Sequence, residues 1–257
     1  MIRLSDMDKG GEEISLARAY ELGKLGLARQ YFELWNEEST KRTREEYRDV
    51  VEENLYKLYK AFFQPYNMEP LVDEQFMGYA GKEVRALNKV APYLVTQKQL
   101  PYTIQDISTM EDYLSGKGFS PSIPRDERKT LYNFYPSVDI YPEKVLHLTE
   151  KYEKDLNRFL GTRHPSLMSD TRKETESERA ERGRRKQFIQ NFIPVLYGHW
   201  GGYWHLSTHP EVGLIILDRN LDRAVVEYRI GYNFGFAEYR KSNGNWEFVR
   251  AAMNGVE

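Results

Sequence analysis

The chain has 257 residues, 40% of them hydrophobic and 30% charged, enough for a sizeable core in one large domain or two modest ones. Its 37 basic and 39 acidic residues leave a net charge of −2, so bulk charge favours neither nucleic acid nor an anionic membrane surface as a partner. The absence of cysteine excludes disulfides, thiolate nucleophiles and cysteine zinc sites. No apolar run reaches the roughly 18 residues needed to span a bilayer, so no transmembrane segment is expected. The polar start MIRLSDMDKGGEE reads as a cytoplasmic N-terminus, or as a periplasmic or secreted chain lying past a removed signal or lipid-anchor segment.

In chain order, the apolar stripe Ile14, Leu16, Ala17, Tyr20, Leu25, Leu27, Tyr31, Leu34 and Trp35 predicts a helix over 12–37, with Gly23 and Gly26 as close-packing positions. Tyr47, Val51, Leu55, Leu58 and Phe62 predict a second helix over 41–64, capped by Thr40 or Thr43 and ended by Pro65. A short connection pairs the two in an N-terminal helical hairpin. Residues 66–140 are rich in proline and tyrosine and irregular, with Tyr93–Thr96 and Tyr102–Ile104 as short strand candidates. A third helix is expected over 142–160, opening at Pro142 and stopping before Gly161, with His147 beside its buried face. Residues 168–187 carry dense mixed charge and read as a solvated helix or a linker, and Arg182, Arg184, Arg185 and Lys186 within it form a candidate phosphate cluster.

The last quarter is apolar, aromatic and β-branched. Asn243-Gly244 is a type I′ turn signal, and pairing outward sets Lys241 opposite Trp246, Arg240 opposite Glu247 and Tyr239 opposite Phe248. Tyr239, Trp246 and Phe248 then share one face, with an Arg240–Glu247 ion pair on the other. Ala224, Val226, Tyr228, Ile230 and Tyr232 alternate against Val225, Glu227 and Arg229, as in a half-buried antiparallel strand. These segments predict a meander over about 194–206, 212–218, 223–232 with 234–241, and 246–250. Gly201, Gly202, Gly231 and Gly235 are expected to kink it. The fold class is therefore α+β: an N-terminal helical pair, then helices packed on a strongly curved C-terminal antiparallel sheet. The expected divisions are 1–65, 66–140 and 141–257, or one compact unit.

A run of long antiparallel strands ending in the hairpin AEYRKSNGNWEFV resembles the end of nuclear-transport-factor-two-like, or cystatin-like, domains over residues 142–250. A looser similarity is to bacterial secreted or lipid-anchored proteins of this size. The resemblance implies helices packed into a bent sheet with a conical pocket. It implies no reaction, because that superfamily hosts enzymes and binding modules alike.

Trp200, Tyr203, Trp204 and His205, with Tyr228, Tyr232 and Trp246, are the candidate ligand-binding residues, as aromatics framing a concave face. His199, His205 and His209 share strand parity and are a candidate metal set. Asp218 and Asp222 flank a turn, and Asp218 with His205 is a candidate acid–base couple. No nucleotide-binding, serine-hydrolase or zinc-protease motif is present, no catalytic residue is assigned, and no cofactor is expected. The expectation is a non-catalytic binding or interaction protein with a small-molecule or protein partner. The alternative is an enzyme or metal-binding protein centred on the three histidines. Oligomeric state is left open.

Overall fold

The computed structural model is α+β and describes residues 14–43, 46–65, 67–72, 92–114, 123–138, 144–161, 175–197, 204–206, 210–230 and 233–256. The chain falls into two compact units. The first takes Met1–Thr43, Val90–Thr96 and Asp139–Thr208; the second takes Arg44–Lys89, Gln97–Val138 and His209–Glu257.

In the first unit the helix expected over 12–37 is two helices, α1 (Leu16–Glu21) and α2 (Leu25–Arg42). The break falls at Gly23, whose φ of +63° is the left-handed conformation that ends a helix and that residues with a β-carbon adopt at a cost. Ser15 caps α1 by accepting from the Arg18 N–H. α2 buries Ala28, Tyr31, Phe32, Trp35 and Ser39. Trp35 stacks on Tyr152 with ring centroids 4.3 Å apart, and Phe32 stacks on Phe192 at 4.9 Å.

The helix expected over 142–160 begins as a strand. β1 (Tyr93–Thr96) pairs in parallel with β4 (Lys144–His147), and only Glu150–Leu160 is helical, as α5. Helix α2 provides the reason. Trp35 Nε1 donates to the His147 carbonyl at 2.9 Å, and the His147 N–H donates to Ser39 Oγ at 2.9 Å. Two side chains of a helix thus satisfy the backbone of an extended segment that the apolar spacing of Val145 and Leu148 reads as helical. Helix α6 (Glu176–Ile189) occupies most of the charged stretch, opened by a capping box between Thr175 and Glu178. β5 (Val195–Tyr197) and β6 (Trp204–Leu206) form their own two-stranded antiparallel sheet. They are not the first strands of the C-terminal meander, which corrects the reading of 194–206.

The second unit holds a six-stranded sheet in the order β10-β9-β8-β7-β2-β3. Its strands are β2 (Gln99–Gln105), β3 (Lys129–Tyr132), β7 (Glu211–Asp218), β8 (Arg223–Ile230), β9 (Asn233–Ser242) and β10 (Asn245–Val256). All neighbours are antiparallel except β2 and β7. The terminal hairpin has the expected register, Trp246 with Lys241, Glu247 with Arg240 and Phe248 with Tyr239, around Asn243 at φ +50° and Gly244 at φ +81°. Helix α3 (Val50–Phe62) starts later than expected. Asp49, not Thr40 or Thr43, is its cap and accepts from the Glu52 N–H at 2.8 Å.

The sheet is not strongly curled, against the expectation. Apolar groups cover both faces. Met110 and Leu114 of α4 (Ile107–Leu114) and Ile123 pack with Leu214, Ile216, Val225 and Phe236 on one face. On the other, Phe62 of α3 meets Tyr228 and Tyr239, and the Tyr228 hydroxyl donates to the Leu71 carbonyl. Gly201, Gly202 and Gly231 lie outside the described residues. Gly235 serves a close approach, since a β-carbon there would meet the Ala252 carbonyl oxygen and lie 3.1 Å from the Tyr228 hydroxyl.

Candidate functional site

Of the residues singled out from sequence, Trp200, Tyr203, Tyr232, His199 and His209 lie outside the described residues, as does the side chain of His205, which β6 places by its backbone alone. Trp204 is fully buried in the core of the first unit, where its Nε1 donates to Asn157 Oδ1 at 3.1 Å and to the Gly161 carbonyl at 2.8 Å. Tyr228 and Trp246 belong to the second unit and are buried there. Lys241 Nζ lies 5.1 Å from the centre of the Trp246 ring. The three described aromatics are thus buried, Trp204 in the core of the first unit and Tyr228 and Trp246 in the second.

Asp218 is almost fully buried and its carboxylate is taken by its own turn. It accepts from the N–H groups of Asn220, Asp222 and Arg223 and so holds the β7–β8 connection, where Leu221 has φ +58°. Burial and the neighbouring Asp218 carboxylate push the Asp222 carboxyl above its usual value. Turn geometry accounts for Asp218, while the side chain of His205, its candidate partner, lies outside the described residues. Among the described residues no group of three or more His, Asp or Glu is arranged to hold a metal. The backbone N–H of His147 meets the Ser39 hydroxyl and its carbonyl meets Trp35, which makes it a packing residue of β4.

One cleft opens in the first unit between α5 and α6. It encloses about 440 Å³ over Phe159, Leu160 and Gly161, with Arg158, Arg182 and Arg185 around it. Its charges are largely used internally. Arg185 and Arg184 both donate to Glu181, Tyr20 donates to the same carboxylate, and Arg185 reaches the Phe159 carbonyl. The hydrogen bonds from Arg185 and Arg184 hold the Glu181 carboxyl down to about 2. Of the cluster read from sequence as a phosphate site, Arg184 and Arg185 are therefore committed to Glu181.

A cluster of arginines lies on the sheet of the second unit. Cross-strand register forms two rows on one face: Arg223, Arg240 and Glu247, then Val225, Glu238 and Arg250. A bulge between Phe248 and Arg250 sets Arg250, rather than Val249, opposite Glu238. Glu238 is 3% exposed and accepts from all three arginines. Arg240 Nε and Nη2 meet Oε1 at 3.3 and 3.2 Å, Arg223 Nη2 meets Oε1 at 3.2 Å, and Arg250 Nε meets Oε2 at 3.0 Å. Burial by itself would raise the Glu238 carboxyl, but the hydrogen bonds from Arg250, Arg223 and Arg240 outweigh it and hold the group below its usual value. Arg223 also reaches Glu111 at 3.3 Å.

Arg240 and Arg250 are 57% and 55% exposed. Among the described residues, Nη1 of Arg240 and both Nη groups of Arg250 meet no acceptor. The Arg240–Glu247 ion pair expected from register does not form, because Arg240 turns to Glu238, its neighbour on the same strand face. Sequence reasoning placed Arg240 correctly but missed the cluster. The signal was the bulge, which changes the parity of Arg250 and cannot be read from alternation.

Compared with known proteins, the chain matches no family model, no curated protein and no solved structure.

Proposed function

We propose that the protein is a non-catalytic binding protein whose recognition surface is the sheet face carrying Arg240 and Arg250, and that its ligand or partner presents an anionic group there. The observation that carries this reading is the sharing of one buried carboxylate by three guanidiniums. Two like charges, Arg223 and Arg240, stand directly opposite on adjacent strands, an arrangement that is destabilising on its own. Glu238 offsets it and also holds the Arg240 and Arg250 forks in place with donors to spare, so little side-chain freedom is lost when an anion arrives. The near-neutral whole chain is compatible with this, since recognition of one anionic group needs local rather than net charge. The likeness to nuclear-transport-factor-two-like domains rests on the terminal hairpin and is compatible with a binding role, though the proposed surface is not the aromatic concavity it implied.

The test is calorimetric titration with acetate, citrate, sulfate and inorganic phosphate at constant ionic strength. At least one anion should bind, and Arg240→Gln with Arg250→Gln should abolish that binding while the protein stays folded. Binding that survives the double substitution would move the site elsewhere. A second reading places a small ligand in the cleft between α5 and α6, whose volume is within the range of small-molecule sites. An anion response abolished by Arg158→Gln with Arg182→Gln, and untouched by the sheet variants, would favour it.

A further inference from the structure

We infer that the group bound between Arg240 and Arg250 is a phosphoryl group rather than a carboxylate; this rests on the anion-binding reading above and names its ligand class. The geometry separates the two chemistries. A carboxylate is planar and offers two oxygens, which match the fork of one guanidinium. Here the unused donors belong to two guanidiniums on neighbouring strands, both anchored through Nε to the same carboxylate, Arg240 on Oε1 and Arg250 on Oε2. Arg250 keeps its whole Nη1/Nη2 edge and Arg240 keeps Nη1, so unused donors of two guanidiniums share one anchoring carboxylate. A tetrahedral phosphoryl group, with three terminal oxygens and close to two negative charges at neutral pH, can accept from both at once.

Three guanidiniums face the carboxylates of Glu238 and Glu111, and with the exposed Glu247 on the same sheet face the patch is balanced in charge, so the choice of ligand rests on donor geometry. Glu247 completes the picture from the other side. It stands opposite Arg240, is exposed, and makes no ion pair with it. It is positioned to repel an arriving anion, a dianion more than a monoanion, so its removal should tighten phosphate binding.

The experiment is an NMR titration of the arginine Nε–Hε signals, with inorganic phosphate in one series and acetate in another, at pH 7.5 and constant ionic strength. Phosphate should shift the Arg240 and Arg250 signals saturably, with a midpoint at least about tenfold below that of acetate. Arg250→Lys keeps the charge but loses the fork, and should remove most of the preference for phosphate. Glu247→Gln should lower the phosphate midpoint severalfold, an effect that a purely structural role for these arginines would not give. If acetate saturates the same signals as well as phosphate does, the phosphoryl assignment is overturned and the anion-binding reading stands. If neither anion shifts them, both are overturned.

Discussion

Gln97 serves Val212 as a strand neighbour. Its Nε2 donates to the Val212 carbonyl at 3.2 Å and its Oε1 accepts the Val212 N–H at 2.9 Å, so a side-chain amide makes both bonds that a backbone partner would make. The pair stands where strand pairing fails, beside the register shift of β7 between Val212 and Leu214 and just before β2 begins. Gln97 Nε2 also donates to the Gln99 carbonyl at 2.7 Å, which fixes the amide's orientation. Gln97 is 6% exposed, so water is a poor substitute for the amide.

Gln97→Leu keeps the side-chain bulk but strands a buried N–H and a buried C=O. Unfolding in urea should show a loss of about 2 kcal/mol, the cost of unsatisfied buried backbone groups. An unchanged midpoint would mean that the backbone finds another partner.

Glu238→Gln removes the charge that three guanidiniums share. At pH 7 the loss should be about 2–3 kcal/mol, less than for a fully buried pair because Arg240 and Arg250 are half-exposed. The folded carboxyl lies below its usual 4.5, so its contribution is present above that value and is lost as pH falls through the lower folded value. The difference between wild type and variant, measured by denaturation from pH 7 to pH 3, should therefore shrink on the acid side. A difference that grew with acidity would contradict the assigned sign.

Trp204→Phe should cost about 1–2 kcal/mol, since Asn157 Oδ1 and the Gly161 carbonyl lose their donor. Trp204→Ala should cost about 3–5 kcal/mol through the cavity left in the first unit's core. If thermal unfolding of the alanine variant stayed within a degree of wild type, Trp204 would be a surface ligand contact after all, as its sequence context suggests.

Leu221 holds φ +58° in the turn capped by Asp218, a conformation that costs a residue with a β-carbon roughly 1–2 kcal/mol. Leu221→Gly relieves that strain but adds freedom to the unfolded chain, so the expected net gain is about 0.5–1 kcal/mol, read as a higher melting temperature. A lower melting temperature would show that the leucine side chain packs more usefully than its half-buried position implies.

Several elements were legible because their signals are local. Asn243-Gly244 dictates a primed turn whichever way the rest of the chain runs, and the register of Tyr239 with Phe248 follows by counting. Gly161 ends α5 as its position predicted, at φ +95°. The illegible elements depend on distant partners. Val145 and Leu148 have helical spacing, yet Trp35 and Ser39 hold their segment extended from more than a hundred residues away. The placement of β2 beside β7 as the one parallel pair of the large sheet joins segments equally remote. Aromatic content marks a core as readily as a pocket, and the described candidates Trp204 and Tyr228 are core residues of separate units.

The amino-acid sequence by itself determined the class of the protein, its cysteine-free chemistry, its strand-rich end and the turn that closes it, because composition and turn residues act over a few positions. Only the tertiary structure decided which strands became neighbours, which aromatics became interior, and that Arg223, Arg240 and Arg250 converge on Glu238. That convergence requires three strands in one register and a bulge at Val249, and the free energy that selects it resides in contacts between residues far apart along the chain.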